Sequence, residues 1–291
     1  MDLKQKIDTL DYAHLSDFDK NYFKPQIPVV IKGLAEDQIA GKRWTIDYFK
    51  QTMGNLDVGV YDNANKKSAA SAFTTPDLTM KFGDYLSIID KNEKTNLRIF
   101  LFNFFKINPA LRTEFPCPAI FKGVLDHVGY MFFGGKDTTV RIHFDIDMSN
   151  VLLTHFGGKK KVVLIAPQYT DLLYCLPYNT YSLVNLDEID HKKYPALAHV
   201  KGYECVLEHG DSIFMPSGYW HYMTYLEKSF SISYRKLAPT AQTKVQGLMN
   251  IALRMPFDKL MGKILGSKWL PIKERAAQRK AAKVMKNLSL S

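Results

Sequence analysis

Short apolar runs separated by glycine, proline and polar turns dominate the chain between residues 126 and 237. Runs of about four to eight aliphatic, β-branched and aromatic residues with such borders predict β-strands. The predicted strands are 128–133, 138–145, 150–156, 159–166, 203–207, 212–216 and 229–235, with a long connection at 172–200. Many short strands joined by Gly and Pro turns indicate a closed or two-sheet β architecture.

The first 125 residues mix helix and strand patterns. The predicted elements are a short helix within 3–23, a strand at 28–33, a helix that starts at 44–49, a strand at 56–61, a helix at 79–89 and a strand at 97–105. Thr45 is suited to cap the second helix. Residues 62–78 are rich in Asn, Ala and Ser and predict an exposed loop. We expect this α/β portion, about 1–125, and the β core, about 126–237, to form one domain, 1–237.

The last residues, 238–291, have a different pattern. Helical apolar spacing predicts helices at 240–255 and 257–265, broken by Pro256, and a third helix at 271–288. This segment carries eleven Lys and Arg against two acidic residues, a balance of +9 out of the net +10 of the whole chain. The basicity therefore belongs to the C-terminal segment, whereas the preceding domain is nearly neutral.

A basic helical segment has several possible partners. It could bind RNA through phosphate groups, lie on an anionic membrane, or form the polar face of helices that join two copies of the chain. The apolar spacing at 245–265 favours packing, so we expect a homodimer through the C-terminal helices.

Composition limits the class of protein. Hydrophobic residues make up 46% of the chain, which is enough for a sizeable core. The three cysteines are odd in number and widely spaced, so they form neither a disulfide framework nor a zinc pattern and indicate free thiols in a reducing compartment. The N-terminus lacks the apolar region of a signal peptide, and no apolar run is long enough for a spanning helix. We therefore expect a cytoplasmic protein.

The stretch Arg141–Asp147 carries the candidate chemistry. Alternate residues of a strand face the same way, so His143, Asp145 and Asp147 are expected to share one face. An imidazole and carboxylates that point into a core need a partner, because burying them unpaired is costly. A metal ion is such a partner, and His221 is the candidate third ligand.

A His-x-Asp pair with a distant histidine has the composition of the facial triad that binds Fe(II) and leaves positions open for oxygen and a cosubstrate. The segment Gly202–His221 supports this interpretation, since it reads as a strand, a Gly-Asp turn, a second strand, a proline and a short loop that ends at the histidine.

Other polar and aromatic residues have less specific interpretations. Asp147 is either a carboxylate that supports the ligands or an ordinary turn residue. His155 and His209 are expected to be structural or surface residues. Trp220 is expected in the core or the pocket wall, and Tyr61 either faces the pocket or packs in the core.

Five segments resemble the cupin-type JmjC hydroxylases, a group that depends on Fe(II) and 2-oxoglutarate. The segments are Pro28–Gly33, Trp44–Tyr48, His143–Asp145, Gly158–Pro167 and Gly202–His221, within a similarity that spans roughly residues 25–237. The group includes the asparaginyl hydroxylase that acts on hypoxia-inducible factor and the tRNA wybutosine hydroxylase. The C-terminal segment lies outside the resemblance.

The resemblance implies a mainly β fold: a double-stranded β-helix of the jelly-roll or cupin type, with flanking N-terminal helices and a C-terminal helical appendage. It also implies that His143, Asp145 and His221 hold iron. The residues that would contact the cosubstrate 2-oxoglutarate are Lys160, with Lys159 as the alternative register, and Asn150, Thr139 and Ser233. The spacing between His143 and this lysine is two residues longer than is usual, which implies a bulge or a longer turn.

The expected function is an Fe(II)- and 2-oxoglutarate-dependent dioxygenase that hydroxylates a protein side chain or another macromolecule. A protein or peptide substrate is the first expectation, and a modified tRNA base is the alternative. A cupin-fold protein that binds or senses a metal without catalysis is the competing class. A metal-dependent isomerase or a quercetinase-like cupin fits less well, because such proteins usually have more histidines in the first motif.

Overall fold

The computed structural model describes residues 1–64 and 75–288. Of the loop predicted at 62–78, residues 65–74 lie outside this described part. The strands are β1 (Asp2–Gln5), β2 (Asp8–Asp11), β3 (Val29–Lys32), β4 (Asp57–Asp62), β5 (Leu78–Lys81), β6 (Leu97–Phe102), β7 (Gly129–Gly134), β8 (Thr139–His143), β9 (Asn150–Gly157), β10 (Lys160–Ile165), β11 (Lys201–Leu207), β12 (Ser212–Met215), β13 (Trp220–Tyr225) and β14 (Ser229–Lys236). The helices are α1 (Ile39–Arg43), α2 (Ile46–Met53), α3 (Phe82–Asp90), α4 (Phe104–Ile107), α5 (Leu111–Glu114), α6 (Ala241–Met249), α7 (Met255–Leu265) and α8 (Trp269–Leu288).

The strands form two sheets that face each other. The smaller sheet has the order β1-β11-β10-β13-β8, and the larger has the order β2-β3-β12-β9-β14-β7-β6-β4-β5. Strands β7 to β14 contribute four antiparallel neighbours to each sheet, and the chain changes sheet at every step except between β10 and β11, which pair with each other. This arrangement is the double-stranded β-helix, so the predicted fold class is confirmed. The N-terminal strands extend both sheets at their edges.

Strand β9 shows why the consecutive residues Val151, Leu152 and Leu153 are all apolar. Val151 and Leu153 belong to the cluster between the two sheets, whereas Leu152 and Phe156 belong to the cluster on the outer face of the larger sheet. Helices α2 and α3 cover that outer face through Phe49 and other aromatic residues. A strand that is buried on both faces is hydrophobic without alternation.

The helix predicted from the spacing of Leu3, Ile7 and Leu10 is wrong, and the helical turns within residues 3–23 are a 3-10 turn at Tyr12–His14 and a π-helical turn at Asp19–Phe23. The chain forms β1, which pairs in parallel with β11, and β2, which pairs in parallel with β3. Leu3, Ile7 and Leu10 pack against three different hydrophobic clusters. Their spacing imitates a helical face, but pairing with distant strands decides the structure.

The structure also corrects the elements next to the candidate site. Strand β8 ends at His143, so Asp145 lies in the following turn and not on the strand. The segment after the Pro216 turn is strand β13, which was not predicted. In the N-terminal portion, the helix predicted from Thr79 begins only at Phe82, after strand β5.

The C-terminal segment is helical, but Pro256 does not break it. A π-helical turn at Asn250–Arg254 joins α6 to α7, and Pro256 falls in the first turn of α7, where its missing N–H costs little. Helix α8 packs on the body of the protein through the buried residues Ala277 and Ala281. Among the described helices, none combines the length and the apolar character that a bilayer span requires.

Candidate metal centre

A cavity of about 330 Å³ lies between the two sheets. Apolar side chains from both sheets form part of its wall, among them Val151, Leu153, Met215 and Met223. The three predicted ligands open into this cavity. The double-stranded β-helix therefore provides a mostly apolar chamber with a few polar groups, as small-molecule sites usually do.

Strand pairing brings the two histidines together. His143 at the end of β8 lies directly opposite His221 on β13, and their ring centroids are 4.2 Å apart. Asp145 reaches the same point from the turn after β8. One potential ligand atom from each of the three side chains lies within 4.8 Å of the others. Among the described residues, this is the only cluster of His, Cys, Asp and Glu side chains that could hold a metal ion.

Backbone carbonyl groups fix the orientation of both imidazoles. The Nδ1 atom of His143 lies 2.8 Å from the Arg141 carbonyl oxygen, and that of His221 lies 3.2 Å from the Tyr219 carbonyl oxygen. A carbonyl oxygen only accepts, so Nδ1 carries the proton in each ring and Nε2 keeps its lone pair. Burial lowers the pKa of His143 to about 3 and also lowers that of His221. Both rings are therefore neutral and able to coordinate.

Arg235 orients and ionises the carboxylate of Asp145. Its Nη1 atom lies 3.0 Å from Asp145 Oδ2 and 3.0 Å from Asp147 Oδ1. Burial alone would raise the pKa of Asp145, but the positive charge of Arg235 outweighs it and lowers that pKa to about 2. Asp147 also accepts from the Ser149 hydroxyl. Asp147 is thus a turn residue that supports the site through Arg235.

Lys160 is a buried cation that opens into the same cavity. Its side chain is 1% exposed, its Nζ atom donates to Ser231 Oγ at 2.5 Å, and it lies 4.0 Å from the centroid of the Tyr225 ring. Burial lowers the pKa of Lys160 from 10.5 to about 7. Lys159, by contrast, is half exposed outside the cavity and pairs with Glu208 at 2.9 Å. The register that begins β10 at Lys160 is therefore the one that turns a lysine inward.

Two further side chains hold Lys160 in place. The Ser231 hydroxyl lies 3.1 Å from His155 Nδ1, and His155 Nε2 lies 2.9 Å from the Gly158 carbonyl oxygen. Nε2 must donate to that carbonyl, so Nδ1 accepts from Ser231 and the Ser231 oxygen is left to accept from Lys160. His155, expected to be a structural residue, therefore supports Lys160 indirectly, through the Ser231 hydroxyl. His209 lies at the surface and contacts the backbone of Gly41.

The remaining predicted cosubstrate residues divide into two groups. Ser233 lines the cavity, and its buried hydroxyl has no hydrogen-bond partner within the described part of the chain. Asn150 does not line it: its side chain accepts from the Ser217 backbone N–H at 2.9 Å and donates to the Leu237 carbonyl at 3.3 Å. Thr139 also points away, and the neighbouring Val140 takes the inward position on β8.

Comparison with known proteins agrees with this geometry. The model of the cupin-like domain matches residues 15–238, which is most of the chain. The chain belongs to the cupin-like domain family. The resemblance that the sequence motifs indicate is thus confirmed at the level of the family.

Three relatives of this cupin-like protein illustrate the range of the similarity. The chain is 26% identical over 235 residues to the tRNA wybutosine-synthesizing protein 5 of Gallus gallus, which covers 74% of this chain and 72% of that protein. It is 25% identical over 247 residues to the Lysine-specific demethylase 8 of Xenopus tropicalis, with 80% and 53% covered. It is 27% identical over 245 residues to the Jumonji C domain-containing protein 5 of Drosophila melanogaster, with 78% and 59% covered. The aligned region is thus little more than half of the last two relatives.

The cupin-like domain also contains cavity residues that the motifs did not indicate. Arg235 lies two positions after Ser233 on β14, and Arg141 lies two positions before His143 on β8. The period of two along a strand was a signal that could have identified Arg235 from Ser233, whereas on β8 the adjacent Val140 and Arg141 both line the cavity where the pairing with β13 is irregular. Tyr181, whose ring stacks on His143 at 5.3 Å, comes from the long connection before β11 and has no such signal.

The donor set fits the group that the family implies. Two neutral imidazole nitrogens and one ionised carboxylate suit Fe(II). The buried ammonium of Lys160 and the hydroxyl of Ser233, which has no partner among the described residues, provide a cation and a donor for a carboxylate in the same chamber. These polar groups would be costly to bury if nothing occupied the space between them.

Proposed function

We propose that the protein is an Fe(II)- and 2-oxoglutarate-dependent oxygenase that hydroxylates a protein side chain. The observation that carries this proposal is the presence, in one cavity, of the His143, Asp145 and His221 cluster and a buried lysine without a carboxylate partner among the described residues. A metal site alone would not need the lysine. A cosubstrate that contains carboxylates explains both the metal site and the buried lysine.

In the proposed reaction the substrate, O₂ and 2-oxoglutarate give the hydroxylated substrate, succinate and CO₂, and iron bound with the cosubstrate supplies the oxidising chemistry. His143, Asp145 and His221 would hold the metal. Lys160 would pair with the distal carboxylate of 2-oxoglutarate, and Ser233 would donate a hydrogen bond to the cosubstrate. Iron and the cosubstrate would supply the oxidising chemistry, and the protein would supply binding, orientation and electrostatics.

The remaining residues would keep the site organised. The carbonyls of Arg141 and Tyr219 hold the two imidazoles in the tautomer that presents Nε2. Arg235 keeps the Asp145 carboxylate ionised and in place. The apolar wall formed by Val151, Leu153 and Met215 would limit the access of water to the reacting groups.

The first test is turnover of 2-oxoglutarate by the full chain loaded with Fe(II). Succinate should form with the wild-type protein, and His143→Ala should abolish it. His127→Ala, which alters an exposed histidine outside the cavity, is the matched control and should retain full turnover. Succinate formation by His143→Ala at the wild-type rate would contradict the assignment. A wild-type protein that binds Mn(II) or Fe(II) but makes no succinate would favour the non-catalytic alternative.

A modified tRNA base is the second candidate substrate. The similarity to a wybutosine-synthesizing protein and the basic C-terminal segment favour it. RNA binding through phosphate contacts should weaken steeply with salt. Retention of tRNA by the full chain, lost in an Arg279→Gln, Lys283→Gln and Lys286→Gln variant, would support this candidate over a protein substrate.

We also propose that the C-terminal helices join two copies of the chain. Large apolar side chains are exposed along α6 and α7, among them Val245, Leu248, Leu260 and Ile264. A surface of this kind is typical of a protein interface. Light scattering should give the mass of a dimer for the wild type and of a monomer for Leu248→Glu with Leu260→Glu. A monomeric wild type would contradict the proposal.

A further inference from the structure

The C-terminal helices contact the turn that presents Asp145 to the metal centre. This turn, residues 144–149, joins β8 to β9. Its acidic side chains pair with Arg235 at the cavity, whereas two of its backbone carbonyl groups contact α6 and the π-helical turn that follows α6. The match to the cupin-like domain ends at residue 238, so these helices lie beyond the part of the chain that defines the family.

Asn250 holds the first of these carbonyl groups. Its side chain is buried, and its Nδ2 atom donates to the Ile146 carbonyl oxygen at 3.1 Å. Its Oδ1 atom accepts from Arg254 Nη1 at 2.9 Å. A guanidinium group only donates, so the contact with Arg254 fixes which end of the amide faces Ile146. The residue next to Asp145 is therefore held by a donor of fixed direction.

Gly247 allows α6 to approach the second carbonyl group of the turn. A Cβ atom at this position would overlap the Asp147 carbonyl oxygen. Glycine is unfavourable in the interior of a helix, so its presence at this contact is explained by close packing and not by helix formation. Ile146 and Asp147, the two residues that follow Asp145, thus both contact the C-terminal segment.

The turn itself has a backbone conformation that needs support. Met148 has a φ of +54°, in the left-handed region that a residue with a large side chain rarely adopts. Such a conformation persists where the surrounding structure determines it. The Met148 N–H donates to the Asp145 carbonyl at 3.1 Å, and the Met148 carbonyl accepts from the Ser217 hydroxyl. The strained residue and the metal ligand therefore belong to one hydrogen-bonded turn.

A second contact joins the C-terminal helices to the segment that covers His143. Asn179 is buried, and its Oδ1 atom accepts from the backbone N–H groups of Thr180 and Tyr181 at 2.7 and 3.1 Å. Its Nδ2 atom donates to Asp258 Oδ2, on α7, at 3.3 Å. The Tyr181 ring stacks on His143. The C-terminal helices thus contact the surroundings of two of the three ligands, each time through one asparagine.

We propose that the C-terminal helices are part of the metal centre, and that Asn250 is the residue that positions Asp145. This inference rests on the metal site of the proposed function and adds to it a support from outside the matched domain. Loss of a group that orients a metal ligand typically lowers metal affinity by about 10-fold to 100-fold. Because coupling is reciprocal, a bound metal should stabilise the contact of α6 with the turn by the same factor.

The test measures the binding of Mn(II) and Co(II) to the full chain, without cosubstrate or turnover. Asn250→Leu is similar in size and uncharged but cannot donate to Ile146, and Gly247→Ala displaces the Asp147 carbonyl. Each should raise Kd for Mn(II), followed by electron paramagnetic resonance, about tenfold or more. Each should also shift the absorption spectrum at saturating Co(II). That spectrum reports the arrangement of the ligands, which a change in stability alone would not alter.

Two matched controls lie on the same helices. Gln242→Leu alters an exposed amide of α6. Gly262→Ala adds a Cβ atom on α7 that would lie 3.8 Å from Trp269 Cδ1, an ordinary contact. Both variants should keep the wild-type Kd and spectrum. A wild-type Kd and spectrum in Asn250→Leu and Gly247→Ala as well would overturn the inference and leave the proposed function intact.

The wild-type protein provides a test that does not depend on the folding of any variant of the C-terminal helices. Hydrogen exchange of the α6 amides should slow when Mn(II) binds, and His143→Ala, which lacks a ligand, should show no slowing. Exchange in α6 that is unchanged by bound Mn(II) would also overturn the inference. A wild type that binds neither Mn(II) nor Co(II) would overturn the metal site itself, and the proposed function with it.

Discussion

The Nζ atom of Lys160, on β10, lies 2.5 Å from the hydroxyl oxygen of Ser231, on β14. The same hydroxyl donates to His155, whose other ring nitrogen donates to the Gly158 carbonyl. Each of these three hydrogen bonds has one donor and one acceptor. Lys160 is therefore directed by a fixed network, although no negative charge in the described residues pairs with it.

Removal of the Ser231 hydroxyl should weaken binding of 2-oxoglutarate. In Ser231→Ala the lysine loses its fixed acceptor, and we expect KM for 2-oxoglutarate to rise about fivefold to tenfold, with a smaller change in kcat. Ser229→Ala is the control, since the Ser229 hydroxyl donates to the Glu227 carbonyl and does not line the cavity. Equal KM values for Ser231→Ala and the wild type would show that the network does not position Lys160.

Binding of 2-oxoglutarate should depend on pH through Lys160. Burial lowers the pKa of this lysine to about 7, so the free protein loses the charge as the pH rises above that value. A bound carboxylate restores the charge, and above pH 7 binding must therefore take up a proton. KM for 2-oxoglutarate should rise by up to about tenfold per pH unit above 7 and stay flat below it.

The neighbouring lysine supplies the control for this pH dependence. Lys159→Met should keep the wild-type profile, because Lys159 is at the surface with Glu208. Lys160→Met should have a high KM at every pH and a flat profile. A wild-type KM that does not change between pH 6 and 9 would exclude a lysine of lowered pKa from the binding site.

Ser233→Ala should affect stability and binding in opposite directions. The Ser233 hydroxyl is buried without a partner in the described residues, and an unsatisfied buried polar group costs about 1–3 kcal/mol. Its removal should leave the free energy of unfolding of the metal-free protein unchanged or higher, as measured in urea. If the hydroxyl contacts the cosubstrate, KM for 2-oxoglutarate should rise severalfold. A loss of stability without a change in KM would give Ser233 a purely structural role.

The pair Lys273–Asp258 should be essential for the packing of α8 against α7. The two side chains are 2.8 Å apart, that of Lys273 is 1% exposed, and the indole N–H of Trp269 donates to the same carboxylate at 2.8 Å. Asp258→Ala leaves a buried ammonium unpaired, and we expect the free energy of unfolding to fall by about 3–5 kcal/mol.

Two further variants serve as a control and as a rescue for this stability measurement. Asp171→Ala removes an exposed contact of 4.0 Å with Lys280 and should cost less than about 1 kcal/mol. Asp258→Leu with Lys273→Met should recover much of the loss, because an apolar pair needs no counter-charge. A loss for Asp258→Ala as small as that for Asp171→Ala would show that α8 contributes little to stability.

The sequence by itself determined the class of the fold and the identity of the three clustered side chains. Strands of the β core have local patterns that do not depend on distant contacts, such as the apolar run of β9 and the Gly210–Asp211 turn. Gly210 has a φ of +85°, a conformation that favours glycine, so this turn is encoded where it occurs. His143, Asp145 and His221 were expected together, and the structure brings them together.

Local patterns failed where distant strands decide the conformation. The segment around Leu3 and Leu10 has helical spacing, but unsatisfied edges of both sheets accept it as β1 and β2. Strand β13 follows a proline turn and is buried on both faces, with His221, Met223 and Tyr225 toward the cavity, so it lacks the apolar alternation of a strand with one exposed face. Pairing energy from a neighbouring strand outweighs local propensity in each case.

Tertiary structure alone decided the electrostatics of the site. The sequence left Lys159 and Lys160 as alternatives and placed Asn150 and Thr139 with the cosubstrate. Strand register turns Lys160 and Ser233 into the cavity, whereas Lys159, Asn150 and Thr139 do not line it. A shift of one residue reverses the direction of a strand side chain, so counting along the sequence could not decide between Lys159 and Lys160. The contact between Arg235 and Asp145 joins residues far apart in the chain, and only the closed β-helix brings their charges within reach.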